Sequence, residues 1–212
     1  MKCSHKFSHY TETLEKAKNL NYYFLRLCDF REIDNYHKVI VVRHDVDLSL
    51  ENALKMANIE HDHGIKSTYF VRVSAKYNIS FYPNIKIINE IIKLGHEIGL
   101  HYTLDIPKLL NTDKVEFLIR EKRILEGVIQ QEIKGICLHD PNITQRIDID
   151  LAKYSIDYDA YSDIFMNKLK YISDSRASWR EGCMCKNIGI HDKLYILTHP
   201  FWWYENASCE NY

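Results

Sequence analysis

The chain has 212 residues, 46% of them apolar and 27% charged, with 28 Lys+Arg against 29 Asp+Glu for a formal net charge of −1. At that length roughly 70% of the unfolded surface can be buried, so a single α/β-sized domain with one core is expected. Charge balance leaves no basic stripe to neutralise a phosphate backbone, and the seven glycines form no GxGxxG, P-loop or GxSxG pattern, which removes nucleic-acid, dinucleotide and serine-hydrolase readings.

In chain order, residues 11–30 carry Leu14, Ala17, Leu20 and Phe24 at helical steps and predict one amphipathic helix. With its flanks it is expected to form an N-terminal extension, residues 1–38, packed on a domain spanning 39–212. Val39–Val42 is an unalternating β-branched run, the pattern of a strand buried on both faces of a parallel sheet. A helix is expected from Ser49 to His63, a strand over 67–73, a helix over 84–94 and a strand over 97–100. Next come a helix over 113–131 with Val115, Leu118, Ile119, Leu125 and Ile129 on one face, and a strand over 135–138. Beyond Pro141 a helix is expected near 147–154 and strands near 169–173 and 195–198. Alternation of this kind predicts a largely parallel sheet, doubly wound or a barrel.

Ionisable side chains come directly after these strands. Val39–Val42 runs into Arg43, His44, Asp45 and Asp47, Leu100 into His101, Leu138 into His139, and Thr198 into His199. In parallel α/β folds the carboxyl ends of the strands share one face, where ligands bind. Two carboxylates and three imidazoles gathered there would suit a Zn²⁺-type hydrolytic site. Taken singly, Asp45 or Asp47 would serve equally well as N-cap of the next helix, and a lone histidine after a strand is more often structural. His61 and His63 read as surface residues and His96, which opens a strand, as lying at the opposite face. His5, His9, His37 and His191 have no apolar strand before them. The six cysteines are scattered without a CxxC pair, and Cys183-Met184-Cys185 alone is a weak zinc signal. No stretch is apolar enough for a signal peptide or a membrane span, so a cytoplasmic protein with reduced thiols is expected.

Arg43-His44-Asp45-Val46-Asp47, Gly95-His96-Glu97-Ile98-Gly99-Leu100-His101, Asp174-Ser175-Arg176-Ala177-Ser178-Trp179 and Leu197-Thr198-His199-Pro200 resemble, in order, the motifs of the polysaccharide deacetylase (NodB-homology, carbohydrate esterase 4) superfamily. The likeness covers about residues 39–203 and looks closest to a branch associated with bacterial surface-polysaccharide and lipopolysaccharide biosynthesis. It implies a distorted (β/α) barrel, usually seven-stranded, with a divalent metal at the carboxyl face. It also implies roles: Asp45 as catalytic base, Asp47 and His101 as metal ligands, and His199 as general acid. Asp174, Arg176 and Trp179 fall in the motif that orients the base and walls the pocket. Two departures stand out. Asp105 occupies the place of the second histidine of H-x-x-x-H, and His139-Asp140-Pro141 stands where an Arg-x-Pro motif would fall, so His139 is the expected third ligand and Asp105 its competitor.

These residues predict a metal-dependent hydrolase, most simply with Zn²⁺ but also suited to Co²⁺, Fe²⁺ or Mn²⁺, that removes an acetyl or formyl group from an amino sugar or glycan. Arg43 or Arg176 would keep Asp45 ionised beside Asp47. Trp179 and Trp202, with Asp174 and Asp105, would contact substrate. The alternatives are a non-catalytic sugar- or metal-binding protein on the same barrel, and a phosphoesterase- or amidohydrolase-like enzyme, whose dinuclear centre would need more ligands than this set offers.

Overall fold

A computed structural model describes residues 3–141 and 146–211. Helix α1 (Phe7–Asn19) leads to strand β1 (Tyr23–Leu25) and a 3₁₀ segment over Leu27–Asn35, then β2 (Val39–Val46), α2 (Leu50–Asp62) and β3 (Thr68–Val71). After these come α3 (Tyr82–Lys93), β4 (Glu97–Tyr102), α4 (Asp105–Leu110), α5 (Lys114–Ile129), β5 (Gly135–Leu138) and β6 (Tyr158–Asp159). The chain finishes with α6 (Asp163–Met166), β7 (Lys170–Ser173), α7 (Met184–Asn187) and β8 (Lys193–Thr198).

Every strand pairing is parallel, and the sheet runs β6-β5-β4-β3-β2-β8-β7. That order is the chain order closed into a ring and opened once, because β8 returns to β2 while β6 and β7 are the two edges. The result is a seven-stranded (β/α) barrel with one seam, as expected. β1 lies beside the first half of β2, Leu25 opposite Val41, and β3 takes over the same edge from Arg43 onward.

Side chains alternate across β2 because its period is two. Val39 and Val41 point into an inner core with Phe70, Cys137, Phe165 and Tyr195, whereas Ile40 and Val42 meet α1, α2 and the segment around Cys183 outside. Arg43 and Asp45 continue the inner row, and His44 the outer one. Gly99 in β4 is needed here: a Cβ would collide with the Phe70 ring, which packs 5.7 Å from the Arg43 guanidinium.

Two expectations are corrected. The first helix covers 7–19 rather than 11–30; Asn21, at a left-handed φ of 60°, turns the chain away, and residues 23–25 join the sheet instead. The helix expected near 147–154 is only a 3₁₀ turn over Ala152–Tyr154, a segment whose apolar residues Ile147, Leu151 and Tyr154 pack onto the outer core without helical hydrogen bonding through 147–151. Among the described residues no helix is long and apolar enough to cross a membrane.

Candidate active site and metal centre

The carboxyl ends of five strands of the sheet supply the site: His139 comes just after β5, His101 lies in β4, Asp45 lies at the end of β2 and Asp47 just after it, His199 comes just after β8 and Asp174 just after β7. Asp45, Asp47, His101, His139, His199 and Trp202 line one pocket of about 450 Å³, a volume suited to a small ligand. The cap reading of the two aspartates is excluded, since Ser49 Oγ accepts the Asn52 N–H at 3.1 Å and caps α2 itself.

Asp45 is 3% exposed and gripped by Arg43, whose Nε and Nη2 each donate at 2.8 Å to one carboxylate oxygen. The guanidinium also donates to Tyr195 at 3.0 Å and to Tyr161 at 2.7 Å. Burial would raise the Asp45 carboxyl, but Arg43 outweighs it, with His101 adding to the effect, and holds it far below the usual carboxylate range. Arg43, not Arg176, is thus the partner that keeps Asp45 ionised; Arg176 is exposed at the pocket wall.

Asp47 differs. Its Oδ1 is buried with no hydrogen-bond partner among the described residues, yet it lies 3.4 Å from His101 Nε2, 3.6 Å from His139 Nε2 and 3.7 Å from Arg72 Nη1. A buried carboxylate oxygen that faces two imidazoles, with the Arg72 guanidinium 3.7 Å away, is a position that a divalent cation would complete. Two ligand atoms of a tetrahedral zinc ion, each about 2.0–2.1 Å from the metal, lie about 3.4 Å apart, close to both imidazole distances. The His101 tautomer fits as well: Nδ1 lies 3.0 Å from the Cys137 carbonyl, which can only accept, so Nδ1 carries the proton and Nε2 is left as the ligand atom. Burial and the neighbouring His101 lower the His139 pKa, favouring its neutral, ligating form. Asp45, His101 and Cys137 also form a metal-capable grouping here, their donor atoms all within 4.8 Å of one another, with Arg43 bonded to both Asp45 oxygens.

On the other wall His199 Nδ1 is 2.7 Å from Asp174 Oδ1, and both Asp174 oxygens accept from the His199 backbone N–H. Trp203 Nε1 donates to the same carboxylate at 3.0 Å. Burial opposes charging of His199, but Asp174, reinforced by Asp45 and Asp47, pushes its pKa up to about 9. Asp174 itself is fully buried and orients His199 rather than Asp45.

The remaining expected residues scatter. Asp105 opens α4, exposed and outside the pocket lining, so His139 is the residue positioned beside Asp47. Trp179 stacks on His5, ring centroids 6.0 Å apart, and is likewise outside the lining. Trp202 lines the pocket, its Nε1 buried and without a hydrogen-bond partner among the described residues. His96 is structural, accepting the Ser67 N–H and donating to the Ala57 carbonyl. Sequence reasoning passed over Arg72, Tyr161 and Tyr195; the strand-end rule applied to Thr68–Val71 points at Arg72, while nothing local marks the tyrosines. Behind the site, His44 Nε2 meets Glu60 at 2.8 Å, and Tyr10, Ser67 and Tyr69 also donate to that carboxylate.

No protein-family model matches the sequence, and no curated protein matches it. Among solved structures it is similar to a mutant of a CE4 family pseudoenzyme with restored enzymatic activity, at 12% identity and a TM-score of 0.50, over 77% of this chain and 57% of that one. The wild-type pseudoenzyme, from Bacillus anthracis, matches at 14% and 0.48, over 77% and 55%. A chitin deacetylase from the fungal pathogen Colletotrichum lindemuthianum matches at 17% and 0.48, over 76% and 73%. The chain spans little more than half the length of the first two. It shares the fold of the first, a CE4 family protein, and its strand-end motifs resemble those of the same superfamily.

Proposed function

We propose that this chain is a metal-dependent hydrolase that removes an N-acyl group, acetyl or formyl, from an amino sugar in bacterial surface-polysaccharide biosynthesis. The observation that carries the reading is the Asp47 carboxylate: its buried Oδ1 has no hydrogen bond among the described residues and faces two imidazole nitrogens at 3.4 and 3.6 Å. Asp47, His101 and His139 would hold a divalent ion, zinc best matching an O/N/N set. When bound, such an ion lowers the pKa of a coordinated water and polarises the acyl carbonyl.

The chain's own residues divide the proton work. Asp45, kept ionised by Arg43, accepts the proton of the attacking water. His199, its Nδ1 engaged by Asp174 and charged at neutral pH, presents Nε2 to the departing amine and donates to it, a contribution of typically about 10²–10⁴-fold. Trp202 supplies an aromatic wall to the sugar. The reading puts the reaction in the cytoplasm, where thiols such as Cys3 and Cys185, 3.5 Å apart, stay reduced.

The test is release of acetate or formate from nucleotide- or lipid-linked N-acylated amino sugars, with bound metal measured on the same protein. Turnover is expected to vanish on chelation and in Asp45→Asn. Turnover indifferent to both would overturn the proposal, and sugar binding without any product would favour the non-catalytic alternative.

A further inference from the structure

A second cluster of metal-capable side chains lies outside the pocket. Cys3 precedes α1, His9 sits in its first turn, and Cys183 and Cys185 flank the start of α7. One donor atom from each lies within 4.8 Å of all the others. Cys3 Sγ is 3.5 Å from Cys185 Sγ, and His9 Nε2 is 3.3 Å from Cys183 Sγ. Around a tetrahedral zinc ion with Zn–S of about 2.3 Å and Zn–N of about 2.0 Å, ligand atoms are about 3.5–3.8 Å apart; a disulfide would need about 2.05 Å. Three thiols and an imidazole are the ligand set of a closed structural site.

We propose that Cys3, His9, Cys183 and Cys185 bind a structural zinc ion that clips the amino-terminal segment to the chain beyond β7. Further observations agree with it. His9 is 4% exposed and its Nδ1 is buried without a hydrogen bond among the described residues, while Glu12 Oε2 stands 3.7 Å from that nitrogen, where a carboxylate orients a zinc-bound imidazole. Zinc with three thiolates carries a net negative charge, and Lys16 Nζ lies 2.6 Å from the Cys185 carbonyl beside it. The surroundings are largely apolar, with Phe7, Met184, Trp179 and Trp203 in the same cluster; His9 and Cys183 are buried, and Cys3 and Cys185 half-buried.

The clip has a functional consequence. Between Asp174 and Cys183 the chain contributes Ser175, Arg176, Arg180 and Glu181 to the pocket wall. Zinc at Cys183 and Cys185 anchors the far end of that wall to α1, where His5 also stacks on Trp179. The inference does not depend on the hydrolase reading, because none of the four ligands lines the pocket.

The full chain, purified under reducing conditions, carries the test. In the Asp47→Ala/His101→Ala double variant, metal analysis is expected to find about one zinc per chain, and replacement by cobalt to give a thiolate-to-cobalt charge-transfer band in the near ultraviolet. Cys185→Ser is expected to weaken that band and to lose this zinc while retaining metal at Asp47. If Cys185→Ser fails to fold, the double variant decides alone. A double variant without metal, a cobalt spectrum without the thiolate band, or an intact mass two hydrogens light from a Cys3–Cys185 disulfide would each overturn the proposal.

Discussion

Arg43 and Asp45, two residues apart on one face of β2, are joined by two parallel 2.8 Å hydrogen bonds in a wholly buried pair. The strand's period of two makes this possible: i and i+2 point the same way, and the fork of the guanidinium matches the carboxylate. Arg43→Met would leave a buried carboxylate unpaired, with an expected loss of about 3–5 kcal/mol in chemical denaturation. Arg43→Lys keeps the charge but not the fork or the bonds to Tyr161 and Tyr195, so a smaller loss of stability is expected together with a large fall in turnover.

The His199–Asp174 contact sets a pH dependence. His199 is raised from about 6.5 to about 9 in the folded chain. The pair therefore contributes its full stability below about pH 6.5, and that contribution is lost as pH rises through about 9. As proton donor His199 must be charged, so kcat/KM is expected to fall on the alkaline side, no higher than about pH 9 once a dication offsets Asp45 and Asp47. Asp174→Asn removes the principal support; the alkaline limb should move down in pH and the rate fall by about 10²-fold or more. An unchanged limb would show that another group sets it.

Much of the site was legible because parallel strands put their carboxyl ends together, so Asp45, Asp47, His101, His139 and His199 could be named from their places at the ends of apolar runs. Less legible was everything made by contacts distant in sequence. Tyr195 and Tyr161 reach Arg43 across 152 and 118 positions, and Cys3 lies against Cys185 at a separation of 182, with no periodicity to betray either. Strands of three and two residues such as β1 and β6 are too short to show alternation. Trp179 was expected at substrate, but an indole beside His5, Trp203 and the α1 core finds more apolar contact there than at a wet pocket wall.

His139 and Asp105 give opposite expectations. His139 Nε2 is 3.6 Å from Asp47 Oδ1, whereas Asp105 is exposed at the start of α4. Isothermal titration with zinc into metal-free protein is expected to show affinity at the Asp47 centre reduced by more than about tenfold in His139→Ala. Asp105→Ala should change it by less than about twofold. Background from the cysteine cluster is removed by titrating both in Cys185→Ser. A larger loss in Asp105→Ala would transfer the third-ligand role to that residue.

Glu121, on α5, is 2% exposed, and neither carboxylate oxygen has a hydrogen-bond partner among the described residues. Burial is the main cause that pushes its pKa up to about 7, against weaker opposing pulls from Ser74 and Arg72. With an unfolded value of about 4.3, the folded chain binds the extra proton between these limits, so stability falls as pH rises from about 4.3 to 7 and then levels off. The loss is on the order of 2–4 kcal/mol. Glu121→Gln replaces the carboxyl with a neutral group of the same shape and removes that slope. Its melting temperature is therefore expected to exceed that of the parent at pH 8 and to match it near pH 4.5. A parent that is the more stable at pH 8 would mean that Glu121 is ionised and paired in solution, Arg72 being the cation that acts most strongly on it.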